Sequence, residues 1–263
     1  MLLSMSAGKD SISLFYLIEL LKKDISFETA VFHLNHLTRG SDSDYDEKYI
    51  HHLTEKHGIT FHSMKYNFTS NSCKGLSFEE NARNVRYSMI EQICRTYGYD
   101  KTATAHNLND RTETVLMRIL SGTGIRGLRG IDTDTGKIIR PMLIFTAEEI
   151  YSYLKENDIN WREDESNNDE KYLRNFIRKT VFPVILPRFK DAVTNINRLA
   201  DHAVENEKLL SNLVFEKYKG CWIIDQKSLK IFTYRIPQDE ALIKFILSRL
   251  IYQIFGLKLS YAV

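Results

Sequence analysis

A short polar segment near the start of the chain, Ser6-Ala7-Gly8-Lys9-Asp10-Ser11, has residue types suited to binding phosphate. It follows an apolar run and precedes a helical pattern, so it lies at a predicted strand-to-helix turn. Small residues let the backbone approach a ligand there, and the helix start offers free N–H groups and a positive dipole end to an anion. We therefore predict that this segment, called here the phosphate loop, binds phosphate.

The phosphate loop differs from the Walker loop, whose G-x-x-x-x-G-K-[ST] pattern has two glycines around a longer loop. A carboxylate beside bound phosphates normally needs a cation between them, so Asp10 indicates Mg²⁺. An ordinary turn with a serine cap would explain the same residues, and this alternative stays open at this point.

A second polar segment, residues 104–114, has the same strand-to-helix pattern. Asp110 would lie at the start of the helix, where its charge suits the dipole. Capping explains one acid but not His106, Asn107 and Glu113 as well. The next segment, residues 121–130, has four glycines and two arginines, one of them Arg126, and is typical of a flexible, basic loop that closes over a substrate.

Two arginines and two histidines are further candidates. Arg83 and Arg86 lie three apart on a predicted helix, so both guanidinium groups could grip one phosphate or carboxylate. A surface ion pair between Glu79 and Arg83 is the alternative. His33 and His36 lie at the end of a predicted strand and point to opposite faces, which favours polar groups lining a cleft over metal ligands.

The elements that position these groups alternate over the first 160 residues. Predicted strands span residues 2–5, 30–34, 60–66, 101–105 and 137–140, and predicted helices span 11–22, 42–57, 78–97, 110–120 and 147–157. This alternation predicts an α/β fold, a doubly wound parallel sheet covered by helices on both faces. Ligands in such sheets bind beyond the carboxyl ends of the strands, where these polar segments lie.

The pattern changes after Trp161. Residues 162–169 read as an acidic loop and residues 170–180 as a basic helix, after which Pro183 and Pro187 should break the chain. We predict one domain over residues 1–189 and a smaller, mostly helical domain over 190–263. The sequence stops soon after its last predicted helix, so we expect the natural protein to continue.

Composition limits the class of protein. Of the 263 residues, 43% are hydrophobic and 27% charged, which is typical of a soluble globular protein, and no apolar run would span a membrane. Three scattered cysteines without a C-x-x-C pair argue against a disulfide framework or a cysteine-held metal cluster and indicate a reducing cytoplasm. Residues 171–198 hold seven bases against one acid, which favours contact with a phosphate backbone, although a solvated helix face stays the alternative.

Taken in order, these segments resemble the PP-loop ATP pyrophosphatase superfamily and, within it, the tRNA(Ile)-lysidine synthetases. The resemblance covers nearly all of the first 180 residues. The matching stretches are residues 6–11, 33–36, 80–87, 104–114, 122–130, 140–143 and 164–178.

The resemblance implies a two-step reaction on tRNA(Ile) with a C-A-U anticodon. Mg·ATP adenylates the C2 carbonyl oxygen of the wobble cytidine and pyrophosphate leaves; free L-lysine then attacks C2 and AMP leaves. The product, lysidine, pairs with A rather than G, so decoding changes to AUA. Many such enzymes associate, which suggests a homodimer, and residues 190–263 would contact the tRNA.

The resemblance also gives roles to particular residues. The phosphate loop with His33 and Asn35 would bind ATP, and Asp10 and Asp110 would be catalytic, holding Mg²⁺ or steering the lysine amine. The residues expected to contact the substrates are Arg83, Arg86, His106, Glu113, Arg126, Arg174 and Asn175.

Three positions depart from the family pattern. Ala7 replaces the first glycine of Ser-Gly-Gly, and we expect its methyl group to narrow the phosphate approach or change the turn. Asn109 and Arg111 replace an aspartate and a glutamine of the second turn, and one fewer carboxylate should weaken Mg²⁺ binding. Two alternatives stay open, namely another PP-loop tRNA-modifying enzyme, whose thiolase type would need the absent C-x-x-C pairs, and a degenerate RNA- or nucleotide-binding module.

Overall fold

The computed structural model describes residues 1–37, 40–68, 78–162, 173–225, 228–236 and 238–255. Backbone contacts divide the chain into two compact units, Met1–Ala200 and Asp201–Val263. Within the described ranges, no helix has the length and apolar character needed to cross a membrane.

Five parallel strands form the sheet of the first unit in the order β3-β2-β1-β4-β5. They are β1 (Leu2–Met5), β2 (Ala30–Asn35), β3 (Thr60–Lys65), β4 (Thr102–Thr104) and β5 (Ile138–Ile139). The chain builds outward from β1 to β3 and then returns to place β4 on the other side of β1. The strand order therefore reverses between β1 and β4, and ligands bind at such a reversal in sheets of this kind.

Helices connect these strands and cover both faces of the sheet, which confirms the predicted doubly wound α/β fold. They are α1 (Lys9–Leu21), α2 (Ser41–Lys56), α3 (Phe78–Tyr97), α4 (Leu108–Leu120), α5 (Ile125–Leu128) and α6 (Ala147–Glu156). Alternate strand residues point to opposite faces. Leu3 accordingly packs with α1, α2 and α6, whereas Leu2 packs with α3.

A second helical stretch follows residue 172. It consists of α7 (Leu173–Phe176), a π-helical turn (Ile177–Val181) and α8 (Phe182–Ile185). The predicted break at Pro183 is wrong, because the backbone stays helical through this residue. Pro183 lies in the first turn of α8, directly after the π turn, where the regular hydrogen-bond ladder is already interrupted and its missing N–H costs little. The predicted acidic loop, apart from Arg162, and residues 164–172 of the matched motif lie outside the described residues.

The second unit contains most of α9 (Ala192–Lys217), a hairpin of β6 (Trp222–Asp225) and β7 (Ser228–Ile231), and α10 (Glu240–Phe255). Its core includes Cys221, Ile236, Ile246 and Leu250. The two helices agree with the predicted, mostly helical domain, and the antiparallel hairpin is an addition that the sequence patterns did not indicate.

Candidate functional site

The phosphate loop connects β1 to α1 and is folded by its own serines. Gly8 is the N-cap of α1, with an extended backbone (φ −73°, ψ 158°) and no side chain to bond the first turn. The Ser11 hydroxyl accepts a hydrogen bond from the Ser6 N–H at 3.2 Å and lies 3.0 Å from the Gly8 carbonyl oxygen. These contacts leave the first-turn N–H groups of α1 open to an anion.

Ala7 faces away from the phosphate approach. It is only 2% exposed and belongs to the apolar cluster formed with α1, α2 and α6. Its carbonyl oxygen accepts a hydrogen bond from the Arg162 N–H at 2.9 Å. The methyl group therefore fills core volume and does not narrow the loop, in contrast to the expectation from the sequence.

Asn107 joins the phosphate loop to the second turn. Its Oδ1 accepts a hydrogen bond from the Asp110 N–H at 3.0 Å while Asp110 Oδ2 accepts one from the Asn107 N–H at 3.0 Å, a reciprocal cap on α4. Its Nδ2 donates to Asp10 Oδ1 at 3.1 Å. Because β1 and β4 are neighbours, Asn107 contacts both predicted catalytic carboxylates, that of Asp10 through its side-chain amide and that of Asp110 through its backbone N–H.

Two arginines of the second helical stretch contact the acidic side chains of α4. Arg178 grips Glu113 with two contacts, Nε to Oε1 at 2.7 Å and Nη2 to Oε2 at 3.0 Å, and its Nη2 also donates to Asp110 Oδ1 at 3.0 Å. Arg174 Nε lies 3.0 Å from Glu113 Oε2. Glu113 is 1% exposed, and its burial raises the pKa of this carboxyl although Arg178 opposes the rise.

The carboxylate oxygens at this site allow a Mg²⁺ ion that is bound through Asp10. Asp10 Oδ1 accepts from Lys9 Nζ at 2.8 Å and from Asn107, which leaves Oδ2 for a ligand. Both oxygens of Asp110 already accept hydrogen bonds. In the part of the chain that the structure describes, no three histidine, cysteine, aspartate or glutamate side chains converge on one point. Mg²⁺ commonly takes one or two carboxylates and completes its shell with substrate phosphates and water, so Asp10 fits this ion.

His33 and Asn35 lie at the carboxyl end of β2 and are buried. His33 Nδ1 is 3.0 Å from the Met5 carbonyl oxygen, and burial lowers the pKa of this imidazole. Asn35 Nδ2 donates to Glu47 at 2.8 Å, and its Oδ1 accepts from the Leu37 N–H at 3.0 Å. Both side chains therefore form hydrogen bonds with other groups of the protein beside the phosphate loop.

Arg83 and Arg86 project from α3 and are exposed. The Arg83 guanidinium lies 5.5 Å from the centroid of the Tyr87 ring, and Arg86 Nη2 lies 3.4 Å from His36 Nε2. Burial and then the charges of Arg140, Arg174, Arg83 and Arg86 act on the His106 imidazole. Burial first, then nearby arginines, lowers the pKa of His106 to about 3, so His106 stays neutral near pH 7.

The glycine-rich segment, predicted from its composition to be a flexible loop, is hydrogen-bonded to α4 by two arginines. Arg118 Nη1 donates to the carbonyl oxygens of Gly127 at 2.8 Å and Gly130 at 2.7 Å. Arg111 Nε donates to the Arg129 carbonyl oxygen at 3.2 Å. Gly130 has φ +67°, and an added Cβ would come within 2.9 Å of Arg111 Cγ. Arg111, at a position where the resemblance implies glutamine, therefore helps to hold this segment.

The remaining predicted residues lie around this network. Arg126 is on α5, and Asn175 is buried on α7 next to Arg174. Asn109 Oδ1 accepts a hydrogen bond from the Ala147 N–H at 2.9 Å. This second departure thus fixes the start of α6.

Sequence reasoning gave no separate role to two residues of this network. The resemblance included Arg178 only as the end of the matched stretch 164–178. Because Arg178 is four residues after Arg174, the helical spacing that paired Arg83 with Arg86 could have singled it out. Buried Asn197 of α9 donates to Thr112 Oγ1 at 2.6 Å and to the Leu108 carbonyl oxygen at 3.2 Å. Only the tertiary fold brings Asn197 to α4, and no local pattern indicates it.

Comparison with known proteins agrees with this geometry. Residues 1–185 match the PP-loop domain family. The tRNA(Ile)-lysidine synthase of Chlorobaculum tepidum is 39% identical over 211 residues, which are 80% of this chain and 64% of that protein. The enzyme of the same name from Caldanaerobacter subterraneus subsp. tengcongensis is 34% identical over 252 residues, 95% of this chain and 54% of that protein.

A solved structure, the U34-tRNA thiolase NcsA from Methanococcus maripaludis with its [4Fe-4S] cluster, has the same fold. Its TM-score is 0.66 at 16% identity, covering 78% of this chain and 72% of that one. The chain spans 54% to 64% of the length of the two curated relatives named above. With its first 185 residues matched, and with a parallel sheet and phosphate loop of the expected design, the chain belongs to the PP-loop domain family.

Proposed function

We propose that this chain carries out lysidine synthesis on tRNA(Ile) with a C-A-U anticodon, using ATP and free L-lysine. Curated relatives that bear the name tRNA(Ile)-lysidine synthase are 31% to 39% identical to it. The cytoplasmic location, the tRNA and lysine partners, and a homodimeric assembly are parts of the same proposal.

The observation that carries the proposal is the hydrogen bond from Asn107 to Asp10, which joins the two turns at the strand reversal. Adenylation must bring the α-phosphorus of ATP and the C2 oxygen of a base to one place. The phosphate loop holds one reactant and the second turn faces the other. Hydrogen bonds among Asn107, Asp110, Glu113 and Arg178 fix the position of the second turn relative to the phosphate loop.

In the first step, the C2 oxygen attacks the α-phosphorus and the bond to pyrophosphate breaks. The first-turn N–H groups of α1, with Gly8 and Lys9, receive the negative charge of the leaving pyrophosphate. Mg²⁺, when bound, neutralises phosphate charge, and Asp10 Oδ2 is the oxygen available to hold it. Asp110 becomes a second ligand only where Arg178 releases its Oδ1.

In the second step, an amine nitrogen of lysine attacks C2 and the bond from C2 to the AMP oxygen breaks. The amine must lose a proton, and a carboxylate is the natural acceptor. The side chain of Asp110 is 14% exposed and that of Glu113 only 1%, so Asp110 is the acid that an incoming amine reaches. Glu113 holds Arg178 and Arg174 in place.

The target base must be unpaired to enter this cleft, as bases of RNA loops are. Arg83 and Arg86 are exposed on α3, and both are suited to bind RNA phosphate or the nucleotide. Neutral His106 offers a hydrogen-bonding edge there and does not titrate near pH 7.

The test is AMP formation from ATP with a tRNA(Ile) transcript, with and without lysine, together with retention of labelled lysine in the RNA. We expect lysine-dependent AMP release that Asp10→Asn and Asp110→Asn abolish. Asp134→Asn, which removes an exposed acid bonded to Lys101, is the matched control and should stay active. ATP binding by folded protein without AMP release would contradict the proposal and favour a nucleotide- or RNA-binding module.

A further inference from the structure

A groove on the second unit is lined by aromatic, basic, acidic and amide side chains, and the proposed reaction does not use it. Its volume of about 440 Å³ lies within the range of small-molecule sites. The lining residues are Asn212, Phe215, Glu216, Lys219, Gly220 and Trp222. They come from the end of α9 and the start of β6, so the groove, called here the hairpin groove, lies where the helix leads into the hairpin.

Two aromatic rings form the firm wall of the hairpin groove. Phe215 and Trp222 meet edge to face, with ring centroids 4.9 Å apart and an interplanar angle of 65°. Both rings pack against the buried core of the second unit while remaining partly exposed. A partly exposed aromatic surface of this kind offers a planar base a stacking partner at little cost in conformational entropy.

Two cationic side chains lie at the edge of the hairpin groove. Lys219 is exposed, and Arg235 Nη1 donates to the Gly220 carbonyl oxygen at 3.2 Å. The Arg235 guanidinium lies 5.2 Å from the ring centroid of Phe232 and 5.4 Å from that of Tyr234, which is 74% exposed. Neither Lys219 nor Arg235 forms an ion pair with any acid in the ranges that the structure covers. Their charge is therefore available to an external anion.

We propose that the hairpin groove binds an unpaired nucleotide of RNA. Its base stacks on the Trp222 and Phe215 wall, and its phosphate contacts Lys219 and Arg235. Asn212 and Glu216 offer the donor and acceptor that can read a base edge. An acidic peptide would use the cations but would leave the aromatic wall without a planar partner, so RNA suits the whole surface. Only the identification of this RNA as tRNA(Ile) rests on the proposed function.

Trp222 itself supplies the measurement. The chain has two tryptophans, so Trp161→Phe leaves Trp222 as the single fluorescent reporter. We expect a saturable change in its emission on titration with tRNA(Ile) transcript and with a single-stranded oligoribonucleotide, and a much weaker one with the matched duplex. Lys219→Ala and Arg235→Ala should each weaken binding roughly three- to tenfold and lower the salt dependence by about one phosphate contact.

Lys230→Ala is the matched control. Lys230 is exposed and lies opposite Ile223, on the face of the hairpin that Trp222 does not occupy. This variant should bind RNA within about twofold of the parent, because only general charge attraction is lost. Unchanged Trp222 emission at saturating RNA, equal response to duplex, or equal weakening by Lys230→Ala would each overturn the proposal.

The two proposals fail separately. If lysidine formation is absent but the groove variants still weaken RNA binding, the proposed function fails and the groove assignment stands. If lysidine forms and the groove variants leave the KM for tRNA and the Trp222 signal unchanged, the groove assignment alone fails. Circular dichroism of each variant confirms that the second unit remains folded in these comparisons.

Discussion

Asn107 and Asp10 are 97 residues apart in the sequence, yet a hydrogen bond of 3.1 Å joins Asn107 Nδ2 to Asp10 Oδ1. The same Asn107 side chain caps α4 through the Asp110 N–H. One amide therefore supports both the helix that carries Asp110 and the loop that carries Asp10. This single side chain therefore contributes to the relative position of the two carboxylates, together with Lys9 at Asp10 and Arg178 at Asp110.

Replacement of Asn107 by alanine separates its two roles. We expect the lost cap to lower the free energy of unfolding by about 1 kcal/mol. AMP formation should fall about tenfold or more, because Asp10 loses the contact that orients it. Thr146→Ala is the control, since Thr146 caps α6 with the same reciprocal pattern away from Asp10. Equal losses of activity in the two variants would show that the cap alone matters.

Ala7→Gly introduces the glycine that the resemblance implies at this position. Because the Ala7 methyl group lies in the core, we expect no gain in ATP affinity measured by calorimetry. The variant should lose about 1 to 2 kcal/mol of stability, from one buried methyl group and a more flexible unfolded chain. Tighter ATP binding would show that the methyl group does obstruct the phosphate approach.

Arg178→Lys keeps the charge but removes the planar fork that grips Glu113 through two nitrogens. We expect the free energy of unfolding to fall by about 1 kcal/mol, a modest loss because the Arg178 side chain is 43% exposed. The rate of lysine-dependent AMP formation should fall by more than this loss of stability would cause, because Asp110 loses the guanidinium group that fixes its position. Arg198→Lys, at an exposed arginine bonded to Asn195, provides the comparison and should change neither quantity.

The stability of the protein should depend on pH through His106. Its pKa is about 3 in the folded protein against 6.5 for an ordinary histidine, so the unfolded chain takes up this proton first. The stability due to neutral His106 is present above pH 6.5 and is lost as the pH falls toward 3. Denaturant unfolding at several pH values should show a shallower decline for His106→Gln than for the parent, while His52→Gln, at an exposed position, should follow the parent.

The local patterns were sufficient for the five strands and for α1 to α4 and α6 of the first unit, because alternating apolar faces and turn residues are properties of neighbouring residues. They also placed Asp10 and Asp110 beyond the carboxyl ends of two strands, but they did not indicate that these strands are neighbours. They did not show that Ala7 points into the core or that Arg118 ties down the glycine-rich segment, since both depend on distant residues. The sequence patterns did not predict the hairpin after α9, because two four-residue strands give too short a periodic signal.

The π turn at Ile177–Val181 has a consequence for the evolution of this stretch. Such a turn is equivalent to one residue inserted into a regular helix. The wider turn takes up that extra residue, so the segments before and after it keep nearly the relative orientation that a regular helix would give them. Deletion of one residue within the turn would restore the regular hydrogen-bond ladder, and Pro183 would then lie inside a regular helix, where its missing N–H leaves a carbonyl oxygen without a partner. A related chain that lacks the extra residue should therefore have a residue other than proline at this position.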